Sequence, residues 1–149
     1  MKIKNVDSEK ELEFIINAQV LMAKETEDLV LDPGIVKKGV HGLYNNDQFG
    51  KYYLCYEDDR PIASLLTTYE WSDWRNGICL WIQSVYVLPA YRGKGVFSLM
   101  YQYLQDLVEK TPEYTGLRLY VDKRNTNAQK VYQKVGMTNE HYELYEWLK

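Results

Sequence analysis

A glycine-rich turn carrying two cationic side chains stands between a predicted strand and a predicted helix. The turn reads Arg92-Gly93-Lys94-Gly95, and Pro89 ends the preceding strand because proline has no amide donor. The two glycines permit backbone dihedrals that other residues avoid, and they let the main chain come close to a ligand. The helix that follows leaves its first amides unpaired, with positive potential at that end. Together these features predict a site for a phosphate or pyrophosphate.

Two common nucleotide-binding motifs do not fit this turn. A P-loop has four residues between its glycines and then Lys-Ser or Lys-Thr, and neither is present here. A dinucleotide fingerprint has a third glycine where this chain has Ser98, and it stands near the start of its domain. A turn that serves only as a connection has no need of paired glycines, two cations and a helix start together. We therefore interpret the turn as an anion site of another kind.

The turn resembles the signature of the GNAT superfamily of N-acetyltransferases, Gln/Arg-x-x-Gly-x-Gly/Ala. The match starts at Arg92, and Phe97 stands where Gly or Ala is usual. In that family the turn binds the pyrophosphate of coenzyme A, and the preceding strand pairs with the pantetheine arm. The resemblance implies acetyl-CoA as the acyl donor. It also implies backbone contacts from Val85 and Val87, and phosphate contacts from Arg92, Gly93, Lys94, Gly95 and Val96.

A second segment, Asn125 to Met137, is similar to the family pattern Asn-x-x-Ala-x-x-x-Tyr-x-x-x-Gly-Phe, with Met137 in place of Phe. Asn125 or Thr126 can cap a helix here, and Gly136 can end it. The resemblance places the hydroxyl of Tyr132 beside the coenzyme sulfur and adds Asn125 to the cofactor-binding residues. The resemblance in sequence extends over about Ile78 to Met137. In about the first 70 residues it is limited to the order of the predicted helices and strands.

Acetylation of an amine by a thioester needs a neutral amine, a polarised carbonyl group and a protonated leaving thiolate. A backbone amide near Val85 can donate to the thioester oxygen. Tyr132, with an ordinary pKa of about 10, is protonated at neutral pH and can protonate the thiolate. We expect direct attack in a ternary complex on a primary amine of a small molecule or protein. The alternative is a non-catalytic coenzyme A-binding module with a regulatory or assembly role.

The general base has several candidates in the sequence. We hypothesise that Glu70, which lies among tryptophans after a predicted strand, is the base or orients a water molecule. Gln83 and Ser84 lie on the cofactor strand, where Gln83 can also orient water. The remaining acidic candidates, which suit a cationic amine as a group, are Glu25, Glu27 and Asp73.

The elements that must position these residues follow from periodicity and turn signals. Strands alternate with helices after an antiparallel opening, which predicts an α/β (α+β) fold. Its central sheet is mixed and mostly antiparallel, with helices on both faces, in a single domain over residues 1–149. Predicted strands are Ile3 to Val6, Tyr52 to Tyr56, Pro61 to Tyr69, Ile78 to Val87, Leu117 to Val121 and Tyr142 to Trp147. Helices are expected from a Ser8 capping box to about Lys24, from Asp32-Pro33, and over Val96 to Lys110 and Thr126 to Lys134.

Composition narrows the function further. The 149 residues carry a formal charge of −3, so no broad basic field attracts nucleic acid or a membrane surface. Cys55 and Cys79 each lie in an apolar run, so we interpret them as small core residues. Two such cysteines are typical of a protein in a reducing compartment. Neither cysteine nor histidine spacing indicates a metal site. We expect a cytoplasmic protein, and the resemblance makes a homodimer an expectation as well.

Overall fold

The computed structural model describes residues 1–149 and contains five strands and four α-helices. The strands are β1 (Lys2–Asn5), β2 (Gly50–Glu57), β3 (Arg60–Ser72), β4 (Gly77–Val87) and β5 (Tyr114–Leu119). The helices are α1 (Leu12–Glu27), α2 (Pro33–Tyr44), α3 (Val96–Lys110) and α4 (Thr126–Lys134). None of these helices combines the length and the apolar character needed to cross a membrane.

The chain forms two compact units. The first, Met1–Leu119, holds the whole sheet and α1 to α3, and the second, Tyr120–Lys149, holds α4. The expectation of one domain over the full chain stays a prediction.

The sheet is mixed, as predicted. Its order is β1-β2-β3-β4-β5, in which the first four strands are antiparallel to their neighbours and β5 is parallel to β4. The turn between β2 and β3 contains Asp58 and Asp59, both with positive φ. Such a two-residue turn matches the twist of an antiparallel hairpin. The turn thus joins the strands predicted over Tyr52 to Tyr56 and Pro61 to Tyr69 into a hairpin.

Helices cover both faces of the sheet. Tyr52 belongs to a buried cluster with α1 and α2 residues such as Leu12 and Val40. The next residue, Tyr53, makes an edge-to-face contact with Tyr103 of α3, with ring centroids 5.6 Å apart. Successive strand residues point to opposite faces, so α1 and α2 lie on one face and α3 on the other.

Helix α2 begins at its predicted capping residue, whereas α1 begins later than predicted. Asp32 accepts hydrogen bonds from the amides of Gly34 (2.7 Å) and Ile35 (3.1 Å), so it caps α2 as predicted. Ser8 instead caps a short 3₁₀ turn, and α1 begins only at Leu12. The Ser8 hydroxyl accepts from the Lys10 amide at 3.3 Å, one residue earlier than a capping box requires.

The strand predicted over Tyr142 to Trp147 is wrong, because these residues form no strand. Tyr142, Tyr145 and Trp147 are largely exposed. Enrichment in aromatic residues is a local pattern, whereas a strand also needs a hydrogen-bonded neighbour. The pattern by itself did not supply one.

The two cysteines behave as core residues. Both are buried and neither forms a disulfide. Burial raises the pKa of each thiol, which keeps both in the unreactive protonated form at neutral pH.

Candidate active site

The backbone of β4 faces away from β3 at Val85 and Val87. The amide of Leu88 donates to the carbonyl of Ile62 at 2.9 Å, so Leu88 is bonded toward β3. Residue pairs in an antiparallel ladder alternate between hydrogen-bonded and non-hydrogen-bonded pairs. The backbone N–H and C=O groups of Val87 and Val85 therefore point to the side of β4 opposite β3. Because β5 pairs with β4 only from Ile78 to Ile82, it does not reach these two residues. The strand therefore directs the amides of Val85 and Val87 and the Val85 carbonyl to a side where an extended ligand can pair, while the Val87 carbonyl accepts from Arg92.

A β-bulge lies just before this stretch. Leu66 pairs with Ser84 and Thr67 with Ile82, which leaves Gln83 as an extra residue in β4. Bulges re-aim the strand that carries them and are common beside active sites. Here the Gln83 side-chain amide donates to the Thr68 hydroxyl at 2.8 Å.

The bulge is also held from α1. The side-chain amide of Gln19 donates to the Ser84 hydroxyl at 2.9 Å. Sequence reasoning did not assign Gln19 to the site. One signal was available: Gln19 is the polar member of an otherwise apolar helical stripe that includes Leu12, Ile15, Ile16 and Val20.

The glycine turn has the geometry of an anion cradle. Gly93 and Gly95 have φ values of +73° and +78°, in the left-handed region that glycine tolerates best. Gly95 is the N-cap of α3, and no side chain caps the helix there. A Cβ atom at either glycine would project into open space, so a phosphate can approach the backbone directly. The turn and the first amides of α3 thus fit a pyrophosphate.

Phe97, the departure from the family signature, stacks on Tyr101 one turn along α3, with centroids 6.0 Å apart. Val96 beside it is buried. Both side chains are engaged in packing, so an anion at this first turn would meet its backbone and not these side chains.

The two cations of the turn differ in their contacts. The Lys94 ammonium lies 5.3 Å from the centroid of the Tyr91 ring. The Arg92 guanidinium donates through Nε to the Val87 carbonyl at 2.9 Å and through Nη2 to Glu25 at 2.6 Å. Sequence reasoning grouped Glu25 with the acidic candidates near the acceptor amine, and the structure places its carboxylate against Arg92 of the glycine turn.

Glu70 lies in a polar network across three strands. One carboxylate oxygen accepts from Arg118 of β5 at 2.7 Å, and the other accepts from the indole N–H of Trp81 in β4. Glu70 pairs with Cys79, and Val85 is six residues farther along β4, roughly 20 Å away at 3.3 Å per residue. The structure therefore does not bring Glu70 and Val85 together.

The remaining acidic candidates, Asp73 and Glu27, are both exposed. Asp73 is exposed in the β3–β4 turn and accepts from the Trp74 amide at 2.9 Å. Glu27 is exposed in the last turn of α1.

Asn125 and Tyr132 belong to the second unit. The side-chain oxygen of Asn125 accepts from the Ala128 amide at 3.1 Å, so Asn125 caps α4. Gly136, with a φ of +88°, follows the end of that helix as predicted. Tyr132 is half-buried, and burial raises the pKa of its phenol. The phenol is therefore protonated throughout the neutral range.

No cluster of His, Cys, Asp or Glu side chains in residues 1–149 is arranged to hold a metal ion.

Comparison with known proteins identifies the family. A sequence model described as the acetyltransferase (GNAT) family matches residues 21–137. A possible acetyltransferase from Clostridium difficile 630, known from a crystal structure, is 39% identical to this chain in sequence. The alignment covers 99% of this chain and 97% of that one, and the two structures superpose with a TM-score of 0.92. No curated protein sequence matches the chain.

More distant structures share the fold. The aminoglycoside 6'-N-acetyltransferase AAC(6')-IG from Acinetobacter haemolyticus is 18% identical, with a TM-score of 0.77 over 100% of this chain and 99% of that one. The aminoglycoside N-acetyltransferase AAC(6')-Iy in complex with CoA is 13% identical, with a TM-score of 0.79 over 99% and 94% of the two chains. With the family match over most of the length and the 39% identical relative, these findings show that the chain belongs to the GNAT family of acetyltransferases.

Proposed function

We propose that this protein transfers an acetyl group from acetyl-CoA to a primary amine of a small molecule or a protein, by direct attack in a ternary complex. The observation that carries the proposal is the combination of an outward-facing β4 backbone with an uncapped, glycine-lined start of α3. The first can pair with an extended arm, and the second can bind the phosphates at the end of that arm. The CoA complex of the structural relative AAC(6')-Iy supports a CoA-type cosubstrate.

The cosubstrate brings an activated acetyl thioester, and the chain provides its binding groups. Backbone groups of Val85 and Val87 pair with the arm, and the outward amide of Val85 donates to the thioester oxygen as charge develops there. The amides of Gly93, Gly95 and Val96 face the pyrophosphate, with charge from Arg92 and Lys94. In the second unit we assign Asn125 to the same cofactor.

The proton balance assigns roles to two further residues. The amine nitrogen bonds to the acetyl carbon, the carbon–sulfur bond breaks, and the sulfur takes a proton from the Tyr132 phenol. The raised pKa of that phenol favours the protonated donor. The surplus proton of the amine leaves to a base, for which we propose Glu70 acting through a relay of ordered water molecules, since it lies roughly 20 Å along the sheet from Val85.

Glu70→Gln tests that assignment. We expect kcat to fall by about 10²-fold, in the range observed when a general base is removed, because the amide cannot accept a proton. The measurement is kcat across a pH series. Arg118→Gln is the matched control, since it breaks the same ion pair but keeps the carboxylate. Equal, small losses in both variants would reduce Glu70 to a structural bridge between strands.

The second candidate function is a non-catalytic coenzyme A-binding module with a regulatory or assembly role. One observation favours it: the proposed base is engaged by Arg118 and Trp81 and lies far along the strand from Val85. Such a module would keep the phosphate turn and the outward-facing strand.

Release of free thiol from acetyl-CoA separates these functions. The assay uses a panel of polyamines, aminoglycosides, amino acids and peptides, with calorimetric binding of CoA in parallel. Thiol release that depends on one of the amines supports the transferase. Binding of CoA without turnover on any of them favours the module, and failure to bind CoA contradicts both.

We further propose a cytoplasmic location and a homodimer. The buried, unbridged cysteines support a reducing compartment. The exposed aromatic residues Tyr142, Tyr145 and Trp147 support association of two copies. Light scattering on the purified full chain measures the assembly state.

A further inference from the structure

The phosphate turn is tied to the end of α1 by a carboxylate. Arg92 donates from Nη2 to Oε2 of Glu25 at 2.6 Å, and its Nε donates to the Val87 carbonyl. The guanidinium also lies 5.4 Å from the centroid of the Tyr86 ring. The other Glu25 oxygen accepts from the Tyr86 hydroxyl at 3.3 Å. Glu25, Tyr86 and Arg92 thus form a closed triangle, named here the Glu25 triangle.

Glu25 holds Arg92 with the same chemistry that a phosphate would use. A carboxylate and a pyrophosphate are both oxyanions that accept charge-assisted hydrogen bonds from a guanidinium. Two such anions around one cation repel each other, and the pyrophosphate carries the greater charge and has the α3 amides as further donors. The anion that binds the turn therefore weakens the hold of Arg92 on Glu25.

The Glu25 carboxylate keeps its hydrogen bond to Tyr86 when Arg92 pairs with another anion. Tyr86 is 4% exposed, so its side chain is fixed within the core. Burial, and then the Glu25 charge, raise the pKa of the Tyr86 phenol, which stays a hydrogen-bond donor. The Glu25 side chain is 37% exposed and can be reached from solvent. What is left is an anchored, accessible carboxylate beside β4 that lacks its cation.

We propose that Glu25 recognises an ammonium group of the acceptor other than the amine that reacts, and that Arg92 holds Glu25 until the cofactor binds. When the pyrophosphate binds, the Arg92 guanidinium leaves Glu25 and pairs with the phosphate oxygens. The cationic acceptor then replaces the guanidinium as the partner of Glu25. The inference rests on the proposed transferase function and deepens it, because it names a substrate class, a cation, and an order in which the cofactor binds first. By linkage, each ligand then raises the affinity of the other.

The competition is tested by calorimetric binding of two probes, CoA and acetyl-pantetheine, at low salt. Glu25→Gln removes the competing charge, so we expect CoA to bind about two- to fivefold more tightly, the range set by a partly exposed ion pair. Acetyl-pantetheine has no pyrophosphate and should bind wild type and variant equally. Glu27→Gln is the matched control for CoA binding, since it makes the same charge change in the same helical turn.

Each outcome bears on the proposal. Equal CoA affinity in the two variants, weaker CoA binding in Glu25→Gln, or an equal gain for acetyl-pantetheine would overturn the competition. Wild type that does not bind CoA contradicts the proposed function itself and is seen before any variant is compared.

The acceptor role has its own measurement. For the panel amine with the highest kcat/KM, we expect Glu25→Gln to raise KM about tenfold, the scale of one lost hydrogen bond to a charged group. The value of kcat should stay within about twofold, because the variant removes binding and not chemistry. An unchanged KM would rule out Glu25 as the acceptor-binding residue.

Discussion

Replacing Tyr132 by Phe is expected to lower kcat by about 10²-fold, the lower end of the effect of a general acid. The phenol is the proposed proton donor to the leaving thiolate, and phenylalanine keeps the ring but removes the proton. The affinity for CoA should stay within about twofold, because the ring remains. Steady-state turnover and calorimetric binding of CoA measure the two effects separately.

The pH dependence of this loss follows from the pKa of Tyr132. Burial raises that pKa above its ordinary value of about 10, so the neutral, donating form persists to higher pH than in an exposed tyrosine. The ratio of wild-type to variant kcat should therefore be constant from about pH 6 to 9.

Tyr145→Phe is the control for Tyr132→Phe, since Tyr145 is a highly exposed tyrosine of the same unit. It should leave kcat unchanged. An equal kcat in wild type and Tyr132→Phe would remove Tyr132 from the mechanism.

Gly95→Ala is expected to weaken CoA binding by roughly 5- to 30-fold. The φ of +78° lies in the left-handed region, where a Cβ atom costs roughly 1–2 kcal/mol, the free energy that corresponds to this loss. An alanine therefore shifts the turn away from its binding conformation, and its methyl group occupies space that is open beside the turn. Calorimetric titration with CoA gives the change in Kd.

Gly39→Ala is the matched control for Gly95→Ala. Gly39 lies within α2, is exposed, and has open space where a Cβ would stand. Alanine should stabilise the helix by about 0.5–1 kcal/mol, measured by urea unfolding, and leave the Kd for CoA unchanged. Equal CoA affinities in Gly95→Ala and wild type would show that the turn does not bind the pyrophosphate.

Several elements of the fold could be predicted because their signals are local. Helix α3 is confirmed over the predicted range, and α2 begins at the predicted Asp32-Pro33 cap. Capping side chains and glycine turns act within four residues of their own position, so their spacing is visible in the chain.

Predictions that depend on a partner strand were less accurate. The segment Tyr142 to Trp147 is rich in aromatic residues, as strands often are, but forms none. Strand β5 begins at Tyr114, three residues before the predicted start, because its extent is set by pairing with Ile78 to Ile82 of β4. Register is a property of two segments together.

The sequence by itself determined the glycine turn, since Gly93, Gly95 and the start of α3 are neighbours along the chain. It also carried the family resemblance, which the comparisons confirm. Only the tertiary structure decided what surrounds the turn. Glu25 and Arg92 are 67 residues apart and Glu70 and Arg118 are 48 apart, so only the folded sheet and its helices bring these charges within hydrogen-bonding distance. No spacing rule encodes such contacts, because they depend on how α1, β4 and β5 pack after their local structure has formed.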